Sequence, residues 1–99
     1  MKTLEEIRAQ LEVLKPVLRE KYGVETIGVF GSYVRGEQTK KSDVDVLVVF
    51  SEAARVGFFE FLELEEFLSN KLGVKVDLVT RDALKPYIGK RILEEVVMV

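Results

Sequence analysis

The chain predicts an α+β fold, a small mixed β-sheet with flanking helices in the order α-β-α-β-α-β-α, and three observations carry that expectation. Segments with apolar residues three and four apart alternate with short apolar runs bounded by glycine or polar residues, the signature of helices interleaved with strands. The 99 residues are 47% hydrophobic and 32% charged, a globular composition whose length suits one domain over residues 1–99. The run DVDVLVVF at 43–50 is apolar on both alternate faces beyond its two carboxylates, as in a strand covered on both sides.

Taken in order, Thr3-Leu4-Glu5-Glu6 reads as a capping box, with Thr3 as N-cap and Glu6 three residues on. Leu4, Ile7, Leu11, Leu14, Leu18 and Tyr22 then form one stripe of an amphipathic helix that Gly23 ends. Pro16 falls inside it, and a proline there removes a hydrogen bond and crowds the preceding turn, so a kink or two short helices are expected. Residues 25–30 (ETIGVF) make a first strand, broken at Gly31-Ser32, and residues 33–42 a short helical turn and a polar loop. Residues 43–50 are the second strand, 57–72 a helix stopped by Gly73, and 74–80 (VKVDLVT) a third strand carrying Asp77. Pro86 suits the start of a helix to about Glu95, and residues 96–99 a last short strand.

On the 57–72 helix, Phe58, Phe61, Leu62, Leu64, Leu68 and Leu72 share a face expected to be core. Phe59 and Phe67 fall outside it, among Glu63, Glu66 and Asn70, and read either as a contact surface or as cover under a loop or the first helix. Lys40-Lys41 read as a solvated loop, and Lys85, Lys90 and Arg91 as surface charge balanced by Glu94 and Glu95.

Composition narrows the chemistry. Fifteen Lys plus Arg against 17 Asp plus Glu leave a net charge of −2, without the basic surplus of a dedicated nucleic-acid binder, so no direct nucleic-acid binding is expected. The absence of His and Cys excludes thiolate and imidazole metal sites and every His-based triad. No apolar run approaches a membrane span and the first residues lack a signal-peptide pattern, so the cytoplasm is the expected compartment. Catalysis would have to use carboxylates, hydroxyls, Lys, Arg or a metal held by oxygen.

The chemical signal is Gly31-Ser32, ten intervening residues, then Asp43-Val44-Asp45, with Asp77 on the next strand. Side chains two apart on a strand share a face, about 7 Å apart along it. Carboxylates that close repel one another unless a cation lies between them, and Mg²⁺ binds through carboxylates plus substrate phosphates. A third strand beside the second would let Asp77 complete a three-carboxylate site. An unpaired carboxylate in a buried strand is costly, so Asp77 is expected to have a partner. Gly31-Ser32, between a strand and a helical turn, offers backbone N–H groups and a hydroxyl to a phosphate, with no side chain at the glycine to block approach.

Residues 28–50 (GVFGSYVRGEQTKKSDVDVLVVF) resemble the signature of the DNA polymerase beta-type nucleotidyltransferase superfamily: Gly-Ser, a short helix, then Asp-x-Asp. The likeness is to its minimal nucleotidyltransferases, the MNT group, and extends over residues 20–99 through Arg35-Gly36, Ser42-Asp43, VKVDLVT and KPYIGKRILEEVV. Tyr33 departs from the small residue or Arg usual near that position. The resemblance implies the minimal nucleotidyltransferase fold, with Asp43, Asp45 and Asp77 as catalytic metal ligands and Gly31, Ser32 and Arg35 as contacts to the nucleotide phosphates. It implies Mg²⁺ or Mn²⁺ as cofactor, ATP as substrate, and in-line attack of a hydroxyl on the α-phosphorus with pyrophosphate leaving. It also implies a HEPN-type toxin as partner in a hetero-oligomer, with AMP transferred to a tyrosine of that partner by its antitoxin. The alternatives are an antitoxin that acts by binding alone and, ranked last because nothing supplies a separate substrate-binding domain, a small-molecule nucleotidyltransferase.

Overall fold

A computed structural model of the chain describes residues 2–84 and 86–99, so the reading of Lys85 as surface charge lies outside the described residues. The elements follow as α1 (Leu4–Tyr22), β1 (Val24–Phe30), α2 (Ser32–Arg35), β2 (Val44–Phe50), α3 (Phe58–Leu72), β3 (Val76–Thr80), a 3₁₀ turn (Arg81–Ala83), α4 (Pro86–Glu95) and β4 (Val97–Met98). Every predicted helix and strand is present. Their starts move by one or two residues: β2 begins at Val44, which leaves Asp43 just outside the strand, and β3 begins at Val76.

Thr3 caps α1 by accepting a hydrogen bond from the Glu6 N–H (3.3 Å). Of the kink or two short helices expected at Pro16, the division into two helices does not occur; α1 is continuous over 19 residues. Pro16 and Glu12, whose carbonyl loses its intrahelical donor to the proline, both face solvent, so water can replace the missing bond. The buried stripe of Ile7, Leu11, Leu18 and Tyr22 holds the helix on the sheet across the proline.

The four strands lie in the order β3-β2-β1-β4. β1 is antiparallel to both β2 and β4, whereas β2 and β3, joined through α3, are parallel, so the sheet is mixed as predicted. Val44, Val46 and Val48, with Ile27, Val29, Val76 and Leu78, form the face packed under α1 and α3. Phe30, Asp45, Leu47 and Asp77 fall on the other face by register, and Phe30 and Leu47 there are also buried. Side chains of α3 close the outer edge of β3: the Val76 N–H donates to Ser69 Oγ (3.0 Å) and the Leu78 N–H to Glu65 Oε2 (2.8 Å).

Leu64, Leu68 and Leu72 are the buried residues of α3, and Phe61 packs against the core, but Phe58 and Leu62 from the same predicted stripe are exposed. Phe59 is exposed as expected of a contact residue. Phe67 is not: it packs against the core with its ring 5.6 Å from that of Tyr22, so cover under the first helix is its role. Tyr33, the departure from the MNT pattern, is 3% exposed and belongs to the core. Among the described residues no helix is long and apolar enough to cross a membrane.

Candidate active site

The site forms where β1 ends beside the start of β2. Register pairs Phe30 with Asp45, so the chain leaves β1 at Gly31 directly against the Asp45 carboxylate. Gly31 has φ +80°, a conformation that L side chains rarely adopt, and a Cβ built there would run into Asp45 Oδ2. The glycine of the Gly-Ser pair is therefore required twice, by the turn and by the carboxylate behind it. Ser32 follows as the first residue of α2, half-buried, and Arg35 closes that single turn.

Parallel pairing sets Asp77 directly opposite Asp45, the neighbour relation that the sequence reading required. Asp43 lies just before β2 and faces Lys75, 4.0 Å from its Nζ. Asp77 is exposed on its edge strand and, among the described residues, has no hydrogen-bond or ion-pair partner. The expectation of a buried, partnered Asp77 is thus corrected: solvent reaches this carboxylate, so the burial cost that would demand a partner is absent.

The electrostatics centre on Asp45. Partial burial, followed by the negative charges of Asp77 and Asp43, raises its carboxyl from 3.8 to about 6, while Arg35 opposes the shift. Among the described residues no three acidic side chains are gathered closely enough to hold a metal ion as they stand. The donor chemistry nonetheless suits a hard divalent cation, because all the donors are carboxylate oxygens and their mutual repulsion is the load such an ion relieves.

A cleft of about 530 Å³ opens beside Asp45, lined by Phe30, Gly31, Arg35, Arg91, Ile92 and Glu95 among others. Its far wall is α4. Glu95 reaches across the cleft: its Oε2 accepts from the Gly31 N–H (2.9 Å) and its Oε1 from Arg35 Nη1 (2.6 Å). Desolvation pushes the Glu95 carboxyl up, but those bonds and the Arg35 charge outweigh it and hold the group below its ordinary value. Arg35 also donates through Nε to Glu37 (3.1 Å). Glu95 and Arg91 were read as balanced surface charge, and the 3.6-residue period that puts both on one helix face was the available signal. What that period could not show is that α4 turns back along β1, where β4 pairs with Gly28 and Val29. Gly28 permits that approach, since a Cβ there would lie 2.7 Å from a Val96 methyl and 2.9 Å from the Met98 sulfur. Lys40 and Lys41 are exposed in the loop before β2. A second cleft, of about 600 Å³, lies toward the opposite end of β2 beside Phe50, Phe58 and Thr80, away from the three aspartates.

A model of the nucleotidyltransferase domain family matches residues 11–99. The protein adenylyltransferase MntA of Thermococcus cleftensis is 54% identical over 99 residues, covering 100% of this chain and 98% of the relative. A solved structure assigned as a minimal nucleotidyltransferase matches with a TM-score of 0.80 at 33% identity, over 97% of this chain and 95% of that one. A chain of a toxin–antitoxin crystal structure with AMP-PNP matches with a TM-score of 0.72 at 26% identity, over 90% of this chain and 70% of that one. Matched along most of its length, and built on the sheet of the minimal members, the chain belongs to the nucleotidyltransferase domain family.

Proposed function

We propose that the protein transfers AMP from ATP to a hydroxyl, a tyrosine of a HEPN-type toxin partner, in a Mg²⁺-dependent reaction, and so acts as that partner's antitoxin in the cytoplasm. The observation that carries this reading is the apposition of Gly31, Asp45 and Asp77 across three neighbouring strand ends, which sets the Gly-Ser turn against a pair of carboxylates. The relatives support it: MntA of Thermococcus cleftensis is named a protein adenylyltransferase, and the toxin–antitoxin structure with AMP-PNP contains a chain of this fold.

In this reading Asp43, Asp45 and Asp77 hold the metal, which when bound neutralises phosphate charge and lowers the cost of the attacking and leaving oxygens, with Mn²⁺ as a substitute for Mg²⁺. The Gly31 N–H, the Ser32 hydroxyl and the Arg35 guanidinium donate to the phosphates and orient them for in-line displacement. The acceptor oxygen forms its bond to the α-phosphorus as the bond to the pyrophosphate oxygen breaks. The acceptor proton passes to Asp77, which is solvent-accessible at the sheet edge and therefore open to an incoming chain. The presence of all three carboxylates favours catalysis over the alternative of an antitoxin acting by binding alone.

The test is thermal unfolding with Mg²⁺ or Mn²⁺, alone and with ATP. A ligand that binds only the folded chain raises the melting temperature by linkage, by about 2.7 kcal/mol of stability at a hundred times its Kd. The expected result is a rise with each cation that grows when ATP is added. An unchanged melting temperature under every condition would contradict a metal-dependent site.

A further inference from the structure

We propose that Glu95 covers the phosphate-holding donors of the nucleotide-free protein, so that ATP binds only by displacing this carboxylate from the cleft. The inference rests on the reading above, in which Gly31 and Arg35 contact the nucleotide phosphates.

The Gly31 amide has a single proton, and Glu95 Oε2 already takes it at 2.9 Å. The other oxygen of the same carboxylate takes the strongest Arg35 contact, at 2.6 Å. A carboxylate bridging an amide and a guanidinium uses the chemistry with which a phosphate edge would be held: two anionic oxygens, no donors, and charge-assisted bonds. A phosphate oxygen cannot take the Gly31 proton while Glu95 keeps it. Among the described residues the hydrogen-bond donors to Glu95 are Gly31 and Arg35, and a polyphosphate offers those donors a replacement anion.

Displacement need not unfold anything. Glu95 is the last residue of α4, its side chain is 23% exposed, and β4 beyond it is anchored to β1 through the Gly28 and Val29 pairing. Rotation of one side chain frees both donors. Arg91, one turn back on α4, lines the same cleft and can receive the released carboxylate. Such a cover taxes a ligand only if the ligand needs the covered donors. If the phosphates that Gly31 and Arg35 hold are the outer ones, ATP bears the tax and AMP, without those phosphates, does not. Glu95 is thus a specificity-determining residue for phosphate-chain length.

The experiment is calorimetric titration of the full chain and of its Glu95→Gln and Glu95→Ala variants with ATP and with AMP, each with Mg²⁺. If the donors are uncovered about one-tenth of the time, both variants bind ATP about tenfold more tightly, and AMP affinity hardly changes. In the wild-type protein the Gly31 amide resonance shifts when ATP is added and stays in place with AMP. Unchanged or weaker ATP binding by both variants would overturn the inference while leaving the ATP site intact. Equal tightening for ATP and AMP would reduce Glu95 to a general charge effect and overturn it as well. Failure of all three proteins to bind ATP would remove the nucleotide site itself, and this inference with it.

Discussion

Asp45 carries the tension of the site. Its carboxyl is raised from 3.8 to about 6, so the folded chain binds that proton more tightly than the unfolded chain does. Stability from this group is therefore greatest below pH 3.8, is lost as the pH rises toward 6, and at neutral pH leaves a penalty. Two units correspond to a ceiling of roughly 3 kcal/mol, and solvent screening of a half-exposed group brings it to about 1–2 kcal/mol. Asp45→Asn should accordingly be more stable than the wild type at pH 7 without divalent cation, and should flatten the fall in stability between pH 4 and 6. Chemical denaturation across that range checks it, and a variant less stable than the wild type at pH 7 would contradict it. At this scale the sequence was most legible for the aspartates and the Gly-Ser pair, because spacing on a strand and glycine before a turn are local facts. Glu95 was not legible. Its partners Gly31 and Arg35 lie 64 and 60 residues away, and no periodicity reports such a distance.

Among the elements, α3 separates what an amphipathic period can reveal from what it cannot. The period placed Leu64, Leu68 and Leu72 in the core, where they are fully buried. It treated Phe58 and Phe59 as different in kind, yet they are 69% and 80% exposed and pack edge-on to each other. In the first turn only Phe61 packs against the core, and Phe58 beside it lines an open cleft with Phe50 and Thr80, a neighbourhood that no period along the helix reveals. Phe67→Ser should destabilise the fold by about 2–3 kcal/mol, since it empties a ring-sized contact against Tyr22. Phe59→Ser should change stability by less than about 0.5 kcal/mol, being a surface substitution. It should instead weaken association with the partner protein by more than about tenfold if the exposed pair anchors that contact. Denaturant melts of both variants and a binding titration of the Phe59 variant distinguish the roles. Unchanged association would move the interface away from the start of α3. At Pro16 the local rule allowed two short helices, and the buried stripe on either side of the proline keeps α1 one continuous helix instead.

For the whole molecule, topology converts four separated sequence features into one site. The antiparallel β1–β2 pair carries the Gly31 turn to Asp45, the parallel β2–β3 pair carries Asp77 to its side, and β4 draws α4 across the opening. The alternation of helices and strands was readable in the sequence; which neighbours pair in parallel comes from the structure, where the long connection through α3 accommodates the parallel β2–β3 pair. The closing of the cleft by α4 was not readable, because β4 is a two-residue strand whose partner residues could lie on either sheet edge. The most direct measurement is incubation of the protein with Mg²⁺, α-labelled ATP and a HEPN-type protein as the proposed partner, comparing wild type with Asp45→Asn and Ser32→Ala. Label should pass to the partner with the wild type and not with Asp45→Asn. Ser32→Ala should keep a rate reduced about fivefold, as for loss of one neutral donor worth about 1 kcal/mol. Transfer by Asp45→Asn at the wild-type rate, or no transfer by the wild type, would contradict a nucleotidyltransferase site built on these aspartates.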